Sequence, residues 1–294
     1  MGQKDKTTFY ILVIVGVVAL LGMSTFFTGF SKEDFSGHAT SAIKTKSISK
    51  ICSDGACVTI DTDGDGTDTD GDGLSDNIET TVGLDPKTDD LSSYKLLEMD
   101  DPVMSGTKVT DGSFVGDQIG SVVQAYDSSY RELGYYLDLT SSTTEDYVNY
   151  TGYTYDFSGA DWFVIKTLVK PSTTDITRYH SIVTLPTSTC YYPQYTISAS
   201  NGEYKTRINI AGTMKSVSSG RVAVTADTWQ EIVAVYKDST LYLFVDGIEV
   251  GTHVTTSGSL VSSSRNLYLG LSDPSCSYNY DFEGYMDTAY IWGE

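Results

Sequence analysis

Leu241-Tyr242-Leu243-Phe244-Val245-Asp246-Gly247-Ile248-Glu249-Val250-Gly251 decides the fold class of this chain. Apolar and polar residues alternate on both sides of Asp246-Gly247, with the period of two that a half-buried strand requires. A two-residue type I′ turn needs positive φ at both central positions, which Asp-Gly tolerates, so the stretch predicts a β-hairpin. Similar short runs lie around it: Tyr135 to Leu139, Trp162 to Val169, Tyr195 to Ser198, Tyr204 to Ile210, Trp229 to Tyr236 and Asn266 to Leu271. They are rich in β-branched and aromatic residues and are separated by Gly, Asp, Asn and Ser. No amphipathic run of helical period and adequate length interrupts them between Pro102 and Glu294. The class is all-β, a sandwich or barrel.

The order of these runs resembles a laminin G-like, concanavalin A-like domain. Leu137 to Leu139, Asp146-Tyr147-Val148 and Phe157 to Trp162 running on to Pro171 are similar to its entry strands. Thr228-Trp229 to Tyr236, followed by the Leu241–Val250 hairpin, resembles its central signature, and Asn266 to Gly270 with Phe282 to Trp292 resembles its last two strands. The resemblance implies a jelly-roll sandwich of two antiparallel sheets over residues 99–294, with a concave face or rim loops that bind glycans or proteins. Fold of this kind does not decide function.

Glycosidases of this fold carry Glu-x-Asp-x-x-Glu on one strand, placing two carboxylates about 5 Å apart. Glu283 and Asp287 are four positions apart, with no further Glu at the required distance, so no catalytic residue is assigned. Asp287 reads as a turn acceptor or a structural metal ligand. His180 and His253 have no nucleophile motif beside them. Tyr191, Tyr192, Tyr278, Tyr280 and Tyr285 either stack on sugar rings or pack across strands. Asn149-Tyr150-Thr151 is the one N-glycosylation sequon.

A different chemistry precedes the sandwich. Residues Asp61 to Glu79 hold eight carboxylates and no Lys or Arg. Two carboxylates about 4 Å apart repel by roughly 4 kcal/mol at a protein surface, so such a run stays solvated unless a cation sits within it. From Asp68 the spacing fits a twelve-residue calcium loop: Asp68, Asp70 and Asp72 at positions 1, 3 and 5, and Gly73 at the sharp turn. The carbonyl of Leu74, then Asp76 directly or through water, and Glu79 complete the set. Asp61, Asp63 and Asp65 repeat the first half and borrow Asp72. The alternative is an acidic, unstructured linker. Residues 77–83 supply a short exit helix ending at Gly83, but no entering helix precedes Asp61. The stretch therefore resembles the thrombospondin type 3 repeat, which implies structural calcium in a stiffened spacer, assigned here to residues 52–98.

The formal charge of −20 excludes the phosphate-neutralising basic patch of a nucleic-acid binder. Phe9 to Phe30 is apolar, and about 22 helical residues span roughly 33 Å, enough to cross a bilayer. The core is longer than a cleavable signal, so residues 9–30 read as a retained single-pass anchor behind a cytoplasmic head at 1–8, with cleavage after Gly22 as the alternative. A pilin-like start is the other alternative; it lacks the Gly-Phe pair and the Glu of that processing site. Residues 31–51 read as a flexible stalk. Four cysteines fit two disulfides, Cys52–Cys57 and Cys190–Cys276, or four free thiols. Calcium loops and disulfides both suit the extracellular side.

These readings together predict a cell-membrane protein with its bulk outside, displaying a lectin-like domain to an extracellular glycan or protein. The competing expectations are a glycan hydrolase of the same fold and an envelope or filament subunit. If Asp70 and Asp72 are calcium ligands, Asp70→Ala with Asp72→Ala lowers the calcium stoichiometry by at least one. Calorimetric titration checks this, and an unchanged stoichiometry refutes the ligand assignment.

Overall fold

The computed structural model describes residues 48–53, 56–61, 67–89, 91, 94–99, 103–105, 107–111, 114–127, 134–140, 146–151, 155–172, 179–187, 192–220, 224–275 and 281–294. The head at 1–8, the anchor at 9–30 and most of the stalk lie outside them. No described helix is long and apolar enough to cross a membrane. Residues Lys44–Glu294 form one compact unit.

The elements in chain order are β1 (Ile48–Ser53), β2 (Ala56–Asp61), α1 (Asp76–Val82), β3 (Lys95–Met99), β4 (Val103–Ser105), β5 (Lys108–Asp111), β6 (Phe114–Ile119) and β7 (Val123–Asp127). There follow β8 (Gly134–Asp138), β9 (Tyr147–Tyr150), β10 (Trp162–Pro171), β11 (Tyr179–Leu185), β12 (Tyr195–Ser200), β13 (Glu203–Ile210) and β14 (Thr213–Ser218). The chain ends with β15 (Gln230–Lys237), β16 (Thr240–Val245), β17 (Ile248–Glu249), β18 (Val254–Thr255), β19 (Leu267–Leu269) and β20 (Gly284–Gly293). Two antiparallel sheets form the body. The first runs β17-β16-β15-β10-β20-β8-β7, with β18 against β16 and β3 against β20; the second runs β14-β13-β12-β11-β19-β9-β6-β5-β4. β1 and β2 pair only with each other. The two-sheet, all-β architecture is the expected one.

Turn chemistry explains the hairpins. Asp246 and Gly247 have φ of 50° and 72°, as a type I′ turn requires, and the same positive pair closes three more hairpins. Asn201-Gly202 joins β12 to β13, Ala211-Gly212 joins β13 to β14, and Asp238-Ser239 joins β15 to β16. Between the sheets lies a continuous core. Phe163 stacks on Phe157 with centroids 4.7 Å apart, and Tyr195 and Tyr236 complete the ring cluster. Ile165, Ile232, Ala234, Leu243, Ile197 and Ile208 extend it.

Two boundaries differ from the sequence reading. Residues 48–51, assigned to the stalk, lie in β1, where hairpin pairing places Cys52 opposite Cys57. The side chains of these two cysteines, and all of Cys190 and Cys276, lie outside the described residues. More consequentially, the acidic segment is not a spacer held away from the sandwich. Leu74, Ile78, Val82 and Leu91 are buried against Val164, Val233, Val235, Phe244 and Trp292 on the outer face of the first sheet. β3, placed largely in the spacer, is a strand of that sheet: its Leu97 pairs with Ile291 of β20. The physical reason is that a seven-residue helix is too short to stand alone and must bury its apolar side on something. Asn77 adds a hydrogen bond from Nδ2 to the carbonyl of Gly247, in the turn of the Asp-Gly hairpin, at 2.7 Å.

A segment buried this way unfolds with its support. Ile78→Ala should cost about 2–5 kcal/mol in the unfolding of the whole domain, with one cooperative transition in a urea titration. A separate early transition for residues 68–91 would show that the segment is an independent module.

Candidate functional site

The acidic loop is shaped by its own carboxylates. Asp68 accepts hydrogen bonds from the backbone N–H of Gly71 at 2.7 Å and of Gly73 at 3.2 Å. Asp70 accepts from the N–H of Asp72, and Asp72 from the N–H of Leu74. These local side-chain to backbone bonds turn the chain back on itself at every second residue. Gly73 has a φ of 101°, where only glycine is unstrained, and it faces the ring of Trp292. α1 then begins at Asp76 and ends at Gly83, whose left-handed φ of 76° caps it where the sequence predicted.

The result gathers carboxylates. One oxygen each from Asp68, Asp70 and Asp72 lies within 4.8 Å of the others. Glu79, projecting from α1, is fully buried, and both of its oxygens lack a hydrogen-bond donor. Oδ2 of Asp70 and Oδ2 of Asp72 are orphaned in the same way. Burial, and then the negative charges of Asp72, Asp70, Asp68 and Asp76, push the Glu79 carboxyl up to about 9. Burial first, and the neighbouring acids after it, push Asp72 to about 7 and also raise Asp68 and Asp70. Oxygen-only donors, several of them orphaned and buried, fit a hard divalent cation and no soft one.

Not every expected ligand is gathered. Asp76 is held by Thr69 instead, accepting from its N–H at 2.7 Å and its hydroxyl at 2.6 Å, which closes the loop across its base. Leu74 is placed by its side chain, fully buried under α1. Asp61 ends β2 opposite Ile48, and its side chain, like all of Asp63 and Asp65, lies outside the described residues.

The sandwich contributes a residue that the sequence does not flag. Lys166, on the outer face of β10, donates to the carbonyl of Gly73 at 2.9 Å and pairs with Glu231 of β15 at 2.6 Å. Both side chains are buried. The ammonium lowers the Asp68 carboxyl against the larger effect of burial. No local pattern identifies Lys166, because its partner carbonyl is 93 residues away.

Other expected features resolve more simply. Asn149 lies inside β9, half-buried and paired with Asp117 on one side and Tyr268 on the other. Asp287 is the extra residue of a bulge, since Leu168 faces Thr288 and Val169 faces Met286. Tyr192 is exposed and Tyr285 stands on the outer face, while Tyr191, Tyr278 and Tyr280 lie outside the described residues. A polar cavity of ≈ 460 Å³ opens at the rim between Asp161, Asp238 and Ser259.

With this geometry established, similarity to known proteins can be stated. Residues 140–294 match a laminin G-type model described as the concanavalin A-like lectin/glucanases superfamily. No curated protein matches the chain. Among solved structures, the binding domain of the Paraclostridial Mosquitocidal Protein 1 superposes with a TM-score of 0.52 at 12% identity, over 68% of this chain and 49% of that one. The botulinum neurotoxin serotype D binding domain gives 0.49 at 10%, over 69% and 49%. A Trypanosoma rangeli sialidase gives 0.47 at 10%, over 66% and 30%. The chain spans about half the length of the first two. At these identities the likeness is one of fold alone.

A pH dependence follows from Glu79. In the metal-free fold it keeps its proton up to about 9, against an ordinary value of 4.5. The folded state therefore binds the extra proton between those values, so the contribution of Glu79 to stability is fully present below 4.5 and is lost as pH rises toward 9, with Asp72, raised to about 7, adding to the fall at lower pH. Glu79→Gln should reduce that fall in melting midpoints recorded in chelator, most of all between pH 7 and 9. A slope identical to that of the parent protein would mean Glu79 is not the titrating group.

Proposed function

Since the chain belongs to the concanavalin A-like lectin/glucanases superfamily, we propose that it is a binding protein rather than an enzyme, with a calcium-organised lectin-like domain that recognises a glycan or protein outside the cell. The observation that carries the calcium half is Glu79, a fully buried carboxylate with two orphaned oxygens beside the Asp68, Asp70 and Asp72 cluster. A buried charge without a partner is costly, and a divalent cation removes the cost. Asp68, Asp70, Asp72 and Glu79 would hold the ion, which would supply positive charge where three of these carboxylates lie within 4.8 Å of one another and the fourth feels their charge. The millimolar calcium of the extracellular space suits such a loop. In the same reading, residues 9–30 anchor the protein in the membrane, and the thrombospondin-like spacing of the loop reflects a structural use of the metal.

The binding half is supported by family membership. The docking of α1 refines what calcium does. The ion would fasten a segment that covers one part of the first sheet's outer face, so its loss reaches the sandwich through Leu74, Ile78 and Lys166.

Calcium at about a hundred times its dissociation constant adds roughly 2.7 kcal/mol to stability. The midpoint of thermal unfolding should therefore rise by roughly 5–10 °C over that in chelator, and magnesium should do less. Equal midpoints with and without calcium would remove the metal from the proposal.

A further inference from the structure

The acidic segment covers only part of the first sheet's outer face. Toward the other end of β10, four residues stand side by side across four strands. Lys170 of β10 pairs with Tyr285 of β20, and Tyr285 pairs with Asp138 of β8. Trp229 immediately precedes Gln230, the partner of Val169, and so continues the row on the far side of Lys170. The row faces outward, because the adjacent Val169, Met286 and Leu137 all point into the core.

Tyr136, two residues before Asp138, leans over this row. Its ring lies 5.5 Å from Trp229 and 5.3 Å from Tyr285, edge-on to both, and Trp229 lies 6.5 Å from Tyr285. The Lys170 ammonium sits 5.2 Å from the Tyr285 ring and 6.0 Å from Trp229. All three rings remain half-buried. Asp138 is fixed through Oδ1, which accepts from the N–H and hydroxyl of Thr140. Asp227 is exposed, on a backbone held by a hydrogen bond from its N–H to the carbonyl of Pro171. Burial, then the charges of Asp138 and Asp227, raise the Tyr285 phenol, so both acids lie near the rings.

Cross-strand aromatic pairs are common, but here rings from two strands and from the residue before a third meet on an outer face with carboxylates at both ends. A pyranose offers the complement: a flat C–H face to lie on rings, and hydroxyls at its edge to donate to carboxylates. The size agrees. The three ring centroids lie within 6.5 Å of one another, the width of one sugar unit, and the row of four, about 14 Å long, falls far short of the roughly 800 Å² that a stable protein partner covers. Two acids against one ammonium, in a chain of charge −20, disfavour an anionic sugar.

We infer that Trp229, Tyr136 and Tyr285 form a stacking subsite for one neutral hexose of a glycan, with Asp138, Asp227 and Lys170 taking its hydroxyls. This rests on the glycan arm of the proposed function and gives it a location.

The test uses the full chain in calcium on an immobilised panel of neutral gluco-, galacto- and manno-oligosaccharides and their sialylated counterparts. The expected result is binding to a neutral glycan, weakened at least tenfold by Trp229→Ala and by Tyr285→Ala at an unchanged melting midpoint. Should the alanine variants not fold, Trp229→Phe serves: it should retain binding while abolishing the glycan-induced change in tryptophan fluorescence. Neutral-glycan binding that survives both alanine variants, or a fluorescence change that survives Trp229→Phe, overturns the subsite and leaves the glycan reading intact. Preference for sialylated glycans overturns the inferred specificity. Binding to no glycan on the panel overturns the subsite together with the glycan arm.

Discussion

Strand β10 has two faces, and both are used. Phe163, Ile165 and Val169 point inward and join the two sheets through the Phe157, Tyr195 and Tyr236 ring cluster. Val164 and Lys166 point outward and carry the acidic segment, and Lys170 points outward beneath the aromatic row. A strand alternates its side chains with a period of two, so one register error would put Lys166 in the core and Ile165 in the site. The pairing of β10 with β15 and β20 fixes that register over eight or more residues on each side. Both candidate sites depend on it.

The acidic loop shows a conflict between folding and charge. Its backbone is well satisfied, with each aspartate taking an N–H within a few residues. The apolar contacts of Leu74, Ile78 and Val82 then bring the segment onto the sheet and carry Glu79 into burial. Burial removes water from carboxylates that repel one another, and Lys166, committed also to Glu231, offsets only part of that. Hydrophobic docking and electrostatic repulsion therefore act on the same seven-residue helix in opposite directions. A divalent cation would reconcile them, and would then act on the stability of the sandwich and not on the stiffness of a tether.

The outer face of the first sheet is thereby divided. One part carries the docked segment, fastened by an Asn77 bond to the turn of a hairpin 170 residues away. The other presents three rings flanked by acids. The second sheet presents less among its described residues: Tyr147 and Tyr268 form a buried two-ring pair beside Leu271, Tyr179 lies under Arg207, and Tyr150, Tyr195 and Tyr204 are buried in the core. That asymmetry directs attention to the first sheet for function.

Much of this was legible in the sequence. Alternation around Asp246-Gly247 specified strands and their turn, and the same logic extends to Asn201-Gly202, because φ preference belongs to two residues and needs no tertiary partner. The 1-3-5-Gly-12 spacing specified the loop, its turn at Gly73 and a helix ending at Gly83, again through contacts within a dozen residues. The structure alone decided that the acidic segment is docked, that Asp76 serves Thr69, that Lys166 reaches Gly73, and that Trp229, Lys170, Tyr285 and Asp138 form one row. Apart from the Asp76–Thr69 contact, which lies within the loop, each of these joins segments distant in the chain, some of them more than a hundred residues apart. Local spacing carries no information about which residue stands opposite across a sheet, and that opposition is what builds the sites.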